Sequence, residues 1–400
     1  MIATAKRVLP WINGLLTYLV WRAGRLLLRR RSGESPSLGG RVCVLQINSL
    51  GDVLMVTPVL RALIRALGAG QVDVVVSQRT APILGHFSGL GRCVRLRTPL
   101  RWRQPRSVWE FIGTARDLRA QRYRAILDAS RLVQTAWLTY LAAPARGIGF
   151  RLPRELGPFR VEGLGYLYSD EIGLTPLEHM IHQNLRLLAP LSVAAASERM
   201  ELAVTPADQE ATRAALVARA VPIDRPFAVI HPGAKWAPKR WHIERFAALA
   251  SRLQAHGIAV VLIGDRGEAA LLHRVAAGCA RPPVILAGDL DLPGLAALIR
   301  MALLFIGNDS APMHIASAVG TPVVGLFGPT FPEQTGPLGP RGRGLVKPIA
   351  CRPCRLYFTR ERCERGHNYC MDLIDIDEVW AAAQSLLGQA AGTQAQDGAG

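Results

Sequence analysis

From residue 41 onward the hydrophobic positions fall into short runs that alternate with longer stretches of helical spacing. Arg41–Ile47 (RVCVLQI) is an apolar, β-rich run, Asn48–Asp52 breaks it as a glycine-containing loop, and a helical pattern follows to about Leu67. Val72–Ser77 predicts a second strand, Arg92–Leu96 a third, and Ala125–Leu127 a fourth ending at Asp128; helices are predicted over Ser107–Arg119 and Val133–Leu141. The second half repeats the theme. Strands are predicted at Phe227–His231, Ala259–Ile263, Val284–Ala287, Leu303–Ile306 and Val323–Phe327. Helical runs fall at Trp241–His256, Glu268–Gly278, Leu292–Met301 and Pro312–Val319. Strands interleaved with helices argue for parallel sheets covered on both faces, so the fold class is α/β with two Rossmann-like domains. Ligands of such sheets bind at the carboxyl ends of the strands. The expectation is that both domains turn those ends toward one central cleft.

The expected organisation is a leader and linker at 1–40, an acceptor-side domain at 41–200 and a nucleotide-sugar domain at 201–345. A cysteine-rich loop at 346–371, a closing helix at 372–388 and a disordered tail at 389–400 complete it. Between the domains, Ala189–Arg225 reads as a connection, with Glu201–Val204 its only strand-like stretch.

The loops after the strands carry the chemistry. In Asn48-Ser49-Leu50-Gly51-Asp52 the aspartate falls at a helix start, where the dipole and free amides favour its ionised form. It fits two readings, a base and an ordinary N-cap. His231-Pro232-Gly233-Ala234-Lys235, followed by Lys239 and Arg240, combines close backbone approach with cationic donors; it reads as a phosphate cradle or as solvated surface charge. Gly264–Glu268 follows the next strand, with Glu268 a first-turn helix acid. Gly307-Asn308-Asp309-Ser310-Ala311-Pro312-Met313-His314 joins a strand, an Asn-Asp-Ser cluster and a proline at a helix start, which predicts a nest for anions or hydroxyls. Gly328-Pro329-Thr330 closes the following strand similarly. There is no G-x-x-x-x-G-K-[ST], and no G-x-G-x-x-G after the first strand of either half, so P-loop hydrolysis and dinucleotide oxidoreduction lack support.

Charge narrows the partners. The 400 residues hold 48 basic and 30 acidic side chains, net +18, and only Lys6, Lys235, Lys239 and Lys347 are lysines. A field of that sign favours phosphorylated small molecules and anionic surfaces. Residues 92–131 hold eleven arginines against three acids, with Trp102 and Trp109 among them, and Arg101 and Arg103 are the expected acceptor-side cations. No nucleic-acid recognition module accompanies them, so nucleic acid is not an expected partner. The first 31 residues carry seven basic and no acidic side chains around an apolar stretch, Leu9–Trp21, too short for a span that needs about 20 residues. The expectation is an interfacial helix over residues 8–31, with a helix packed on the protein itself as the alternative.

Seven cysteines are too few for a disulfide scaffold of this length. Four of them, Cys351, Cys354, Cys363 and Cys370, lie within twenty residues with the spacing C-x2-C-x8-C-x6-C. Structural zinc, an iron–sulfur cluster and free thiols all fit that spacing. Cys43, Cys93 and Cys279 sit in or near apolar runs and read as small core residues.

Three segments in order, RVCVLQINSLGDVLMVTPVLRAL, VIHPGAKWAPKRWHIERFAALA and FIGNDSAPMHIASAVGTPVVGLFGPT, resemble the signatures of the lipopolysaccharide heptosyltransferases, glycosyltransferase family 9, across residues 41–385. The resemblance implies the GT-B arrangement of two Rossmann-like domains. It also implies inverting transfer of a sugar, typically heptose from ADP-heptose, to a lipopolysaccharide core without a required metal or other cofactor. It casts Asp52 as general base beside Ser49 and Gly51, Lys239 as a donor-phosphate contact and Asp309 as a donor-sugar contact. Ser310, Met313 and His314 line the nucleotide side, and Gly233, Lys235, Gly328 and Thr330 complete the donor set. The acceptor it implies is an anionic glycolipid at the inner leaflet, hence a peripheral location on the cytoplasmic face of the bacterial inner membrane. Two alternatives stay open: another NDP-sugar for O-antigen or a further envelope glycan, and a non-catalytic sugar- or lipid-binding protein. The chain departs from the family pattern at Ala311, in the basic leader and in the cysteine cluster.

Overall fold

A computed structural model describes residues 40–97, 104–151, 153–156, 159–162, 167–175, 177–219, 221, 223–352, 363 and 366–397. The chain divides into two compact units, Met1–Glu198 and Arg199–Gly400.

Unit 1 is built on strands β1 (Val42–Gln46), β2 (Val72–Ser77), β3 (Leu90–Leu96), β4 (Ala125–Asp128), β5 (Arg146–Arg151) and β8 (Asp170–Gly173). All pair in parallel, in the order β3-β2-β1-β4-β5-β8. A separate hairpin joins β6 (Pro153–Leu156) to β7 (Phe159–Glu162). Strand β1 is buried at every position, as a central parallel strand with both faces covered must be. The buried polar exceptions on these strands are paired. Asp73 accepts from Arg41 Nη2 at 2.6 Å, from the Arg92 backbone N–H at 2.7 Å and from the Tyr123 hydroxyl at 2.5 Å. The helix Pro105–Ala120 packs beside the helix Val133–Ala142 on one face of the sheet, where Phe111, Leu118 and Leu138 close over Cys43, Leu45 and Val75.

Unit 2 repeats the plan with β9 (Phe227–His231), β10 (Ala259–Gly264), β11 (Val284–Ala287), β12 (Leu304–Asn308), β13 (Val323–Phe327) and β14 (Gly342–Val346), in the order β11-β10-β9-β12-β13-β14. Its core gathers Trp241, Phe246, Leu249, Leu304, Met371 and Trp380. Trp241 donates its indole N–H to the Ile374 carbonyl at 2.9 Å, which ties the chain after the last strand back onto the sheet.

Both sheets therefore run 3-2-1-4-5-6 in their own numbering, the Rossmann order, and this bears out the expected α/β fold class of two Rossmann-like parallel-sheet domains. The order reverses between β1 and β4 in unit 1, and between β9 and β12 in unit 2. Those two switch points are where the loops of interest emerge.

Three local expectations change. Glu201–Val204 forms no strand, and the chain there leads into the helix Pro206–Val217, which packs on Leu292–Met301. Strands β5, β8 and β14, absent from the sequence reading, are short and rich in glycine, arginine and acid, residues that carry little strand signal of their own. The closing helix runs Ile376–Asp397, through much of the segment expected to be a disordered tail; its alanine and glutamine content favours helix.

One expectation is overturned. The expected peripheral location on the cytoplasmic face of the inner membrane rested on the acceptor that the resemblance implies and on an interfacial helix over residues 8–31, which lie outside the described residues. Among the described residues no helix is long and apolar enough to cross a membrane. The long closing helix spends its apolar side, Val379, Trp380, Ala383 and Leu386, on the core of unit 2. That location is withdrawn.

Candidate active site

In unit 1 the loop after β1 turns at once into the short helix Leu50–Leu54. Ser49 is its N-cap, and Asp52 is the third helical residue rather than the cap itself. The two form a capping box: Asp52 Oδ2 accepts from the Ser49 backbone N–H at 3.0 Å and from its hydroxyl at 2.6 Å. Asp52 Oδ1 is left without a hydrogen-bond donor among the described residues. Half of the carboxylate is thus anchored and half is available, the division a general base requires. Gly51 is buried beneath it.

The neighbouring loop, after β4, is bound to this one. Asn48 Nδ2 donates to the Ser130 carbonyl at 2.9 Å, the Ile47 N–H donates to Ser130 Oγ at 3.1 Å, and Gln46 Nε2 donates to the Ala129 carbonyl at 3.2 Å. A cavity of about 480 Å³ opens beside them, lined by Ile47, Asn48, Arg79, Arg95, Arg97 and Phe111 among others. Arg101 and Arg103, the expected acceptor-side cations, lie outside the described residues.

Under these loops Asp128 is fully buried, accepting from the Ser130 N–H at 2.9 Å and from the Tyr168 hydroxyl at 2.7 Å. Burial pushes its carboxyl up to about 6, against the opposing hydrogen bonds of Thr135, Tyr168 and Ser130. A folded-state value raised from 3.8 favours the protonated form, so its contribution to stability is full below about pH 4 and lost as pH rises through about 6. Chemical denaturation of the wild type should show unit 1 losing about 2–3 kcal/mol across that window. Asp128→Asn, whose amide can still face Tyr168, should flatten the dependence; an unchanged slope would exclude Asp128 as its source.

Unit 2 assembles its loops around Asp309, which follows β12. Lys239 donates from Nζ to Asp309 Oδ2 at 2.6 Å, and Thr330 donates from Oγ1 to the same oxygen at 2.7 Å. His314 Nε2 lies 3.9 Å from Oδ1. Three loops, after β9, β12 and β13, are clasped by one carboxylate. Asn308 is the second clasp: Nδ2 donates to the Pro232 carbonyl at 2.8 Å and Oδ1 accepts from the Trp241 N–H at 3.1 Å.

His231, at the end of β9, joins the loop after β12 to the loop after β10. Its Nδ1 is 3.0 Å from Ser310 Oγ and its Nε2 is 3.2 Å from Glu268 Oε2. Burial acts to raise the Glu268 carboxyl, but the hydrogen bond and charge of His231, the Asp265 N–H and Arg240 outweigh it and hold it below the usual value. Ser310, N-cap of the helix Ala311–Val319, makes no side-chain cap bond; its hydroxyl is turned toward His231 and the Asn308 carbonyl. A Cβ on Gly233 would collide with the Glu268 carboxylate, and one on Gly328 would lie 2.6 Å from Met371 Sδ, so each glycine lets that side chain approach the backbone closely.

The other expected donor residues are placed differently. Met313 is fully buried beneath Gly325. Lys235 is exposed, its ammonium 5.7 Å from the Trp236 ring centroid. His231, Glu268 and Asn308 were not among the expected site residues; their signal was their place at strand ends, which ordinary caps share. In the cysteine segment Cys370 is buried, Cys351 and Cys363 are half-buried, and Cys354 lies outside the described residues. No group of three or more His, Cys, Asp or Glu side chains poised to hold a metal occurs among the described residues.

Two Rossmann-like units, each with its loops gathered at a switch point, make up a glycosyltransferase of the GT-B class. Residues 112–364 match glycosyltransferase family 9 (heptosyltransferase), and the chain belongs to that family. It is similar to lipopolysaccharide heptosyltransferase 3 of Escherichia coli, 30% identical over 285 residues that cover 70% of this chain and 81% of the relative. Among solved structures it resembles a family 9 glycosyl transferase from Veillonella parvula, with TM-score 0.72 and 20% identity, covering 88% of this chain and 97% of that one. It also resembles ADP-heptose lps heptosyltransferase II of E. coli, with TM-score 0.69 and 21% identity, covering 88% and 99%.

Proposed function

We propose that the protein is an inverting, metal-independent glycosyltransferase that moves heptose from ADP-heptose onto a lipopolysaccharide core or a related anionic envelope glycolipid. The observation that carries this reading is a carboxylate anchored on one oxygen and available on the other, set at the switch point of a unit whose partner unit gathers a lysine, a threonine and an aspartate at its own.

In this mechanism the acceptor hydroxyl attacks the anomeric carbon of the donor sugar on the face opposite the diphosphate. A bond forms from the acceptor oxygen to that carbon as the carbon–oxygen bond to the diphosphate breaks. Asp52 Oδ1 takes the proton that the hydroxyl loses. The nucleoside diphosphate leaves with the bonding electron pair, its charge met by Lys239 and by the amide end of the helix Ala311–Val319. Asp309 and Thr330 address the sugar hydroxyls, and Glu268 and His314 flank the nucleotide.

The test is turnover of purified protein with a panel of nucleotide sugars against lipopolysaccharide from defined core mutants. Transfer from ADP-heptose supports the reading, transfer from another NDP-sugar alone replaces the donor, and binding without turnover returns the protein to a sugar-binding role. The spacing of Cys351, Cys354, Cys363 and Cys370 fits structural zinc, an iron–sulfur cluster and free thiols alike. Elemental analysis of protein purified without chelator separates them: stoichiometric zinc gives a structural clip, iron a cluster, and neither metal free thiols.

A further inference from the structure

His231 ends β9, an inner strand of unit 2 that lies between β10 and β12 where the strand order reverses. At such a reversal the connections leave in opposite directions and open a crevice at the carboxyl ends of the strands. The His231 side chain is 6% exposed, and each of its ring nitrogens faces a different loop. Nδ1 is 3.0 Å from Ser310 Oγ, after β12, and Nε2 is 3.2 Å from Glu268 Oε2, after β10. One imidazole thus links the loops on either side of its own strand.

A carboxylate and a carbonyl only accept hydrogen bonds, and a serine hydroxyl has one proton to donate. Ser310 Oγ also lies 3.1 Å from the Asn308 carbonyl. Both Ser310 contacts are satisfied together when each ring nitrogen carries a proton. Nε2 then donates to Glu268, Nδ1 donates to Ser310 Oγ, and Ser310 donates to Asn308. Glu268 is the counter-charge to that ring. Burial acts to raise the Glu268 carboxyl, and the hydrogen bond and charge of His231 lead the influences that hold it below its usual value.

Two features go beyond tying loops together. Ser310 is the N-cap of the helix Ala311–Val319 yet makes no cap bond, because its hydroxyl is turned to His231 and Asn308. Glu268 Oε2 takes the His231 bond and a second from the Asp265 N–H at 3.1 Å, which leaves Oε1, beside Gly233, without a hydrogen-bond donor among the described residues. A ligand hydroxyl can donate to Oε1, and the Ser310 proton can turn from Asn308 to a phosphate oxygen while Nδ1 keeps hold of Oγ. A nucleoside diphosphate carries both groups. We infer that His231 is a positioning residue of the donor site, a single ring that aims Ser310 at the diphosphate and Glu268 at the ribose hydroxyls of one nucleotide. The inference rests on the reading of unit 2 as the donor side.

The deciding measurement is the dissociation constant, by calorimetry, for whichever of ADP, UDP and GDP the wild type binds, set beside the thermal midpoint of each variant. His231→Ala should weaken binding by about tenfold or more, the scale of hydrogen bonds to charged groups. His231→Gln carries a donor and an acceptor on one side chain and should recover part of that loss. In the double variant Ser310→Ala with Glu268→Gln, adding His231→Ala should weaken binding by less than about threefold, because the groups it acts through are gone. Should the alanine variant fail to fold, His231→Asn keeps a partner for Ser310 and releases Glu268; its affinity should fall, and adding Glu268→Gln should then change little. The same loss from His231→Ala in both backgrounds, or a lowered midpoint with unchanged affinity, would make His231 a structural residue and overturn the inference. Ser310→Ala and Glu268→Gln measured singly separate the two failures. If both keep wild-type affinity, or if the wild type binds none of the three nucleotides, the donor-side reading falls and the inference with it. If both lose affinity and His231→Ala does not, the His231 inference falls alone.

Discussion

Asp52→Asn is expected to lower kcat by about 10²–10⁴-fold while leaving donor affinity and folding close to wild type, the scale set by loss of a positioned base. The reason lies in how Asp52 is held. Oδ2 accepts both Ser49 bonds, and only Oδ1 is available to take a proton. An asparagine with its oxygen toward Ser49 still closes the capping box, so the helix Leu50–Leu54 should survive, but the amide presented on the other side is a donor and cannot accept the hydroxyl proton. Turnover with a fixed nucleotide-sugar donor, together with donor titration, reads both halves. Unchanged turnover would remove Asp52 from the chemistry and leave it a capping residue. Ser49→Ala is the companion variant: it removes one of the two anchoring bonds and should weaken the cap by roughly 1 kcal/mol, with a smaller loss of rate.

Lys239→Ala should do more damage, because it removes a cation from a buried pair. Lys239 and Asp309 are 70 residues apart in sequence and 2.6 Å apart at Nζ and Oδ2, with side chains 13% and 6% exposed. Breaking a buried pair from one side leaves the other charge unmatched, which costs about 3–5 kcal/mol. Thr330 still donates to Asp309 and should soften that loss. Activity should fall by about 10²–10³-fold as well, the scale of removing one preorganised charge from a leaving group. The two effects separate in the double variant Lys239→Met with Asp309→Asn: removing both charges should recover most of the stability and none of the activity. Recovery of both would mean that the pair only holds loops together; loss of both would mean that the cluster's fold depends on its charges.

Much of this architecture is legible along the chain. The runs VCVLQ, VDVVVS, FAVIH and VVGLF announce central strands because a parallel strand covered on both faces must be apolar nearly throughout, whatever its neighbours are. Asp52, Lys239, Asp309 and Thr330 stand out through the three segments that resemble the family's signatures, because their place in loops after strands fits caps and solvated charge equally well. The edges are less visible. Strands RGIGFR, DEIG and GRGLV have no periodicity to betray them, since their hydrogen-bond partners rather than their side chains keep them extended.

What the sequence determined by itself is the inventory: two rounds of strands and helices, the loops between them, and the residue types those loops carry. Local burial writes that information into every few residues. The tertiary structure alone decided which loops meet, because strand order is a matter of pairing between distant segments. Only the 3-2-1-4-5-6 order sets Arg131 beside the Asp52 loop, brings Lys239 to Asp309, and turns His231 toward both Ser310 and Glu268. It also decided how individual residues are held there. Ser49 rather than Asp52 became the cap, and an arginine that looked like one of eleven in a basic stretch proved to be half-buried, left-handed in its backbone and tied through Asn184 to the helix Leu50–Leu54.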